Sequence, residues 1–416
     1  MRLVGSQRKG PFPLWGAALC LALLAGCAGP RGSLRDEQVV EVRLGHLAAL
    51  PAPAGPGETP LNGLPLRVLL RKSHQGLKLA AAGGLRLRHE DGRVLAELPA
   101  QGRARLEVIA GRLAMNGRSL GVSQALVQAL RAGEAVRVAG KRYHGGLLLQ
   151  AQGSQLLLIN VVGLEDYLQG VLPSEVPSDW PLEALKAQAV AARTFAMGKV
   201  QKAHGLPYDL DDSTASQVYG GLDGEKPRSN EAVDSTRGLL LTWRGALAET
   251  FFHSNSGGHT ADASEVWGGQ APGYLLGVLD TESEDQRHYA WNAVVPREQA
   301  ERALVNAGLW QGFLEDVVGR ERSESGRWNS VELLGRGANR KVIKGNAFRM
   351  ALGGDRLRST RFRVHLRGDD LVFDGLGWGH GVGLSQEGAY TLAREGRGYR
   401  GILDHYYPGT RLGHLR

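Results

Sequence analysis

The chain has 416 residues, 42% of them hydrophobic, 22% charged and 6% aromatic. This excludes a disordered, collagen-like or disulfide-rich protein and leaves length for two or three domains. Glycine, at 59 residues, is about twice as frequent as usual, which disfavours an all-helical fold and points to tight turns and close backbone approach. The formal charge is +8 with no run of five like charges, so a nucleic-acid partner is not implied; an anionic polysaccharide or a membrane surface suits it better.

Residues 1–26 have the form of an export signal. Arg2, Arg8 and Lys9 precede an apolar run from Leu14 to Leu24 that is too short to span a bilayer. Leu24-Ala25-Gly26-Cys27 resembles the bacterial lipobox, which implies cleavage before Cys27 and lipidation of its thiol; the alternative is an ordinary signal cut near Ala28. Cleavage there leaves 47 basic against 42 acidic residues, a charge of +5. Cys20 departs with the signal and Cys27 is consumed, so neither a disulfide nor a cysteine metal site is expected. No later stretch reaches about 18 uninterrupted apolar residues, so the expectation is an exported domain held in the cell envelope by its lipid. Ala28 after Cys27, in place of an aspartate, favours the outer membrane where the cell has one.

Residues 27–65, with Pro51, Pro53, Pro56 and Pro60, read as a Pro/Gly/Ala tether. Short alternating runs at 67–70, 85–88 and 105–109, broken by glycines and by Asp91-Gly92, predict strands and hairpins. Leu147 to Asn160 predicts two more strands turning at Gly153-Ser154. A helix follows, capped by Ser178 or Asp179 with Pro181 in its first turn, and running until Gly198. Leu182, Leu185, Ala189, Ala192 and Ala196 form its apolar stripe. Strand-like runs at 238–243 and 248–252, a helix start at Ser385 and a short helix at 402–407 complete an α+β chain.

Nucleotide and zinc-protease motifs are absent, and the glycines of residues 377–383 alternate singly without satisfying G-x-G-x-x-G. Three segments carry candidate chemistry. Glu175 stands between Pro173 and Pro177 among Val171, Leu172, Val176 and Trp180. Desolvation there would raise its pKa toward the range of a general acid; the plainer reading is a turn glutamate that caps a helix or pairs with an arginine. His253-Ser254-Asn255-Ser256-Gly257-Gly258-His259 is a polar loop lining a cleft or a structural turn. His-x5-His is poor metal spacing, and the serines do not match G-x-S-x-G. His380 lies among glycines that let its backbone approach a ligand or a neighbour closely; a buried histidine bonded to a carbonyl is the alternative.

Taken together, the segments 164–196, 252–267 and 377–389, with the closing Tyr406-Tyr407-Pro408-Gly409-Thr410, resemble the SpoIID/LytB family, named for a sporulation protein and an amidase enhancer. The likeness also takes in 325–362. It spans roughly 140–412, implying a catalytic domain there and leaving 66–139 as a β-rich accessory region. The resemblance implies a peptidoglycan lytic transglycosylase acting on glycan strands stripped of stem peptides. Glu175 matches the family's essential glutamate. It would protonate the bridging oxygen, then take the proton of the muramic acid C6 hydroxyl, leaving a 1,6-anhydro end; one carboxyl then serves where a hydrolase commonly needs two. Arg193 matches an arginine suited to the lactyl carboxylate. Lys186 and Gln188 also match, and His253, Ser256, His259, His380, Ser385 and Gln386 fit a sugar-binding lining. No cofactor is implied. Some members hold zinc through cysteines near the segment 211–219; none stands here, so no metal is expected. The other branch of the family implies a non-catalytic enhancer with a cell-wall amidase as partner.

Overall fold

The computed structural model describes residues 38–40 and 63–415, apart from 81–82, 132–134, 139 and 214–215. The export signal, Cys27 and most of the tether lie outside the described residues. Within the tether range, Gln38–Val40 forms a strand pairing in parallel with Arg411–Leu415.

The fold is α+β. Its first part is built from short strands, several of them alternating, whose apolar positions feed a shared core, while the central strands bury residues on both faces. In Leu77–Ala80, Leu77 and Leu79 are buried and the intervening residues exposed. A seven-stranded sheet runs in the order Leu210–Asp211, Pro65–Ser73, Gln155–Gly163, Gly146–Gln152, Gln124–Ala129, Leu85–Arg88, Val94–Leu98. A six-stranded sheet runs Lys141–Tyr143, Val136–Val138, Leu77–Ala80, Arg103–Ile109, Arg112–Met115, Arg118–Ser119. Leu79, Leu87, Leu106, Leu113, Val127 and Leu147 belong to one buried cluster drawn from both sheets. The expected turn at Gly153-Ser154 joins strands Gly146–Gln152 and Gln155–Gly163. Strands on both sides of residue 139 thus share each of these sheets.

Strand Gln155–Gly163 leads directly into α1 (Leu164–Glu175), which is followed by α2 (Leu182–Lys202) and α3 (Pro227–Ser235). Helix α2 starts after the expected Ser178 or Asp179 cap: Pro181 is its N-cap, and the Pro181 carbonyl accepts from the Ala184 and Leu185 N–H groups. It also continues past Gly198 to Lys202, because Met197 and Val200 are buried in the core and outweigh the roughly 1 kcal/mol that a helical glycine costs. Leu185, Ala189, Ala192 and Ala196 face one core cluster, while Ala187, Val190 and Ala191 face a second. The small side chains let α2 sit between both.

Beyond α2, Leu239–Trp243 pairs with Arg411–Leu415, closing the end of the chain onto its middle. Of the strand expected over 248–252, only Phe252–His253 is in a ladder, parallel to Leu384–Ser385. The preceding residues spend their polar groups elsewhere, Thr250 donating to the Ala191 carbonyl and Phe251 accepting from Leu384 N–H. After α4 (Ala263–Trp267), two three-stranded sheets enclose a separate aromatic core of Trp291, Trp310, Phe348, Phe362 and Phe373, with α5 (Arg297–Asn306) and α6 (Gly345–Leu352). Helices α7 (Gln386–Arg394) and α8 (Tyr399–Tyr406) then pack against the second core, and Ser385 caps α7.

Candidate functional site: a cleft at the end of α1

Glu175 is the last residue of α1, so its side chain leaves the fold where the helix ends. Pro173 is accommodated because the helix stops two residues later. The segment 216–219 crosses in front. Gly170 makes that crossing close: a Cβ there would stand 2.6 Å from the Tyr219 ring. Tyr167 donates to Gln217 (3.1 Å), Gln217 donates to the Ala192 carbonyl (3.3 Å) and Tyr219 donates to Asn160 (3.0 Å). Held in this way, Val218 donates its N–H to Glu175 Oε1 at 3.3 Å. Burial pushes the Glu175 carboxyl above its ordinary value, and that single hydrogen bond only partly opposes it.

Glu175 opens into a cleft of about 530 Å³. A face of α2 contributes Phe195, Gly198, Lys199 and Lys202 to its lining; the rest includes residues 249–254, Trp267, Trp378, Gly379, His380 and Gln386. Aromatic rings line it: Phe251 and Trp267 lie 4.4 Å apart, and Trp267 and His380 5.2 Å. Arg358 stacks over Trp378 at 4.6 Å. Lys202 and Glu249, both lining residues, are ion-paired, and Lys199 sits 5.2 Å over the Phe195 ring.

Val382 fixes the two histidines of the cleft. Its carbonyl accepts from His253 Nδ1 (3.1 Å), and its N–H donates to His380 Nδ1 (3.0 Å). His253 is therefore left with an acceptor at Nε2, which is buried without a partner, whereas His380 carries its proton on Nε2. Burial holds both neutral: His253 is pushed well below its ordinary pKa and His380 down to about 3, with Arg327 opposing a charge on either. The alternating glycines allow this arrangement. A Cβ on Gly379 would meet His253, and one on Gly381 would stand 2.4 Å from Arg327 Cζ. Arg327 is itself buried and donates to the Ser256 (2.6 Å) and His259 (2.8 Å) carbonyls, tying the loop 253–260 in place.

Of the residues singled out from the sequence, Glu175, His253, His380 and Gln386 line the cleft. The others lie elsewhere. Arg193 is fully buried and makes a bidentate pair with Glu165 (3.0 and 2.7 Å) while donating to the Leu239 and Val233 carbonyls. All of these partners are internal, and the guanidinium reaches neither the surface nor the cleft lining. Lys186 pairs with Glu183, which accepts from the Tyr399 N–H at the start of α8. The Gln188 amide is buried with neither end partnered, outside the cleft lining. Ser256 and Ser385 are internal to the loops: Ser256 bonds Ser283 and Gly258, and Ser385 accepts from the Gly388 and Ser256 N–H groups. His259 Nδ1 donates to the neighbouring Thr260 carbonyl and is not in the cleft lining. Thr214 and Ala215 of the segment 211–219 lie outside the described residues. Lys199, Lys202, Glu249 and the anchoring Arg327 were missed. The first two were within reach of periodicity, since 195, 198, 199 and 202 share a helical face.

These motifs have counterparts in known proteins. The SpoIID family, described as Stage II sporulation protein, matches residues 152–243, and a domain of unknown function matches 275–383. An uncharacterised protein of Brachyspira hyodysenteriae is 34% identical over 272 residues, covering 65% of this chain and 72% of that protein. Stage II sporulation protein D of Bacillus subtilis is 31% identical over 268 residues, 60% of this chain and 74% of the relative. The amidase enhancer of Bacillus subtilis is 29% identical over 292 residues, 59% of this chain but only 40% of the longer relative. By these matches the chain belongs to the SpoIID family.

Proposed function

We propose that the protein is a peptidoglycan lytic transglycosylase that cleaves glycan strands stripped of their stem peptides. The observation that carries this reading is the placement of Glu175: a carboxyl with a raised pKa, opening into an aromatic-walled cleft. A raised pKa keeps the acid form available at the start of the reaction. Glu175 protonates the bridging oxygen as the bond to C1 breaks. The resulting carboxylate then takes the proton of the C6 hydroxyl as its oxygen bonds C1, giving the 1,6-anhydro end. The other glutamate lining the cleft, Glu249, is paired with Lys202, which suits a reaction needing one free carboxyl rather than two. Lys199, which lines the cleft, would meet the free lactyl carboxylates that stripped strands expose. Export, lipid attachment at Cys27 and a place in the cell envelope belong to the same proposal. Among the described residues no helix is long and apolar enough to cross a membrane.

A second reading, a non-catalytic enhancer of a cell-wall amidase, is favoured by the similarity to the amidase enhancer. Peptide-free glycan incubated with the protein and with Glu175→Gln, followed by mass spectrometry, separates the two. Anhydromuramyl ends from the wild type alone are expected. Reducing ends would mean a hydrolase, and no cleavage with glycan or amidase binding intact in both proteins would promote the enhancer.

A further inference from the structure

Behind the loop 253–260, away from Glu175, three side chains converge from two elements. Asp280 and Glu282 lie in the turn 280–283 and His405 on α8, and one donor atom of each lies within 4.8 Å of the other two. Asp280 is fully buried. Its Oδ1 accepts from the Tyr406 hydroxyl at 2.7 Å, while Oδ2 is buried without a hydrogen-bond partner. Burial pushes its carboxyl above the ordinary value, and the hydroxyls of Ser256, Tyr406 and Ser385 oppose this only in part. His405 bonds the Leu279 backbone. Its Nε2 is buried and has no hydrogen-bond partner. A metal-ligating histidine gives one nitrogen to the ion and the other to a carbonyl, and an unpartnered Nε2 beside two carboxylates is open to the first of these roles.

We propose that Asp280, Glu282 and His405 form a binding site for one divalent transition-metal ion of the zinc class. Two carboxylates and a neutral imidazole balance a dication in charge and match its preference for mixed nitrogen and oxygen donors. Tetrahedral ligation at ~2.1 Å needs donors ~3.4 Å apart, so the site tightens on binding, chiefly by rotation of the partly exposed Glu282. The site clamps the cleft loop from behind. Asp280 N–H donates to the Gly258 carbonyl (3.1 Å), and the Ser283 carbonyl accepts from Asn255 (2.9 Å). An ion joining this turn to α8 would stiffen the segment that carries His253. The proposal does not depend on the glycan reading.

The full chain, treated with EDTA and desalted, is titrated with Zn²⁺ by calorimetry, with bound metal counted by atomic emission and melting followed by circular dichroism. One equivalent is expected, with a rise in Tm. His405→Gln and Glu282→Gln should each bind at least tenfold more weakly while melting like the metal-free wild type. Asp280→Asn, which also touches Tyr406, serves as a third variant. Less than one equivalent in the wild type would overturn the site, as would unchanged affinity in both His405→Gln and Glu282→Gln. Binding of Ca²⁺ in preference to Zn²⁺ would overturn the assignment of class.

Discussion

Gly379 lies so close to His253 that a Cβ on the glycine would stand 2.6 Å from the His253 Cβ. Its φ of +115° adds a backbone conformation that side chains rarely adopt. Gly379→Ala should therefore cost about 1–3 kcal/mol in strain, displace His253 and lower both Tm and glycan cleavage. Gly396, also at positive φ but with open space around it, is the comparison. Equal losses of Tm in Gly379→Ala and Gly396→Ala, by circular dichroism, would remove the close-approach argument.

The buried pair of Arg193 and Glu165 predicts a stability phenotype. Arg193→Ala strands a buried carboxylate and should destabilise by roughly 3–5 kcal/mol in urea unfolding. Arg193→Met combined with Glu165→Leu should regain most of it. Were Arg193→Ala to unfold like the wild type yet lose glycan affinity, Arg193 would be a substrate residue after all.

Glu175 links activity and stability to pH in one direction. Because burial raises its folded pKa, the native state keeps this proton to a higher pH than the unfolded chain. The group's contribution is present below the unfolded value of 4.5 and is lost as pH rises through the folded one. Glu175→Gln should gain Tm relative to the wild type between pH 4 and 7, while wild-type cleavage falls as its acid form is lost. A constant Tm difference over that range would contradict the raised pKa.

Much of the architecture was legible because the hydrophobic periods were clean. Leu85–Arg88 and its hairpin at Asp91-Gly92, the turn at Gly153-Ser154 and the alanine stripe of α2 all follow from local pattern. What escaped was tertiary. Nothing near Arg193 in sequence announces Glu165, 28 residues earlier, so a motif arginine looked like a ligand for substrate when its partner was internal. Helix α1 was hidden because Pro173 and Gly170 are poor helix formers; one is tolerated near the C-terminus and the other is needed for the Tyr219 ring. The three motif segments were legible as a group, but only folding decides which of their polar residues face the cleft.

His253 and His380 should behave as neutral donors and acceptors rather than as proton carriers. Ring-proton NMR shifts of both are expected to stay flat from pH 5 to 8. His380 titrates only near 3, so its contribution to stability is lost as pH falls from its ordinary 6.5 toward that value. A mid-point near 6.5 for either ring would show that the cleft is wetter than its burial implies.

Trp267 is 42% exposed and packs at a tilt against Phe251 in the cleft lining. Trp267→Ala should leave Tm nearly unchanged and raise KM for glycan about tenfold, the equivalent of the ~1.4 kcal/mol that a lost aromatic face can represent. An unchanged KM would place the strand on another wall.

Strand Pro65–Ser73 lies between Leu210–Asp211 and Gln155–Gly163, paired with the latter from Pro65 opposite Gly163 to Ser73 opposite Leu156. The strand that launches α1 and Glu175 thus borrows its neighbour from the beginning of the described chain. Inheritance of the two parts is constrained accordingly. A recombination event or engineered fusion that exchanged everything before residue 140 would have to bring a matching strand with it, or leave Gln155–Gly163 as a bare edge open to pairing with other chains. The part before residue 140 is better regarded as a scaffold that travels with the glutamate than as an interchangeable module.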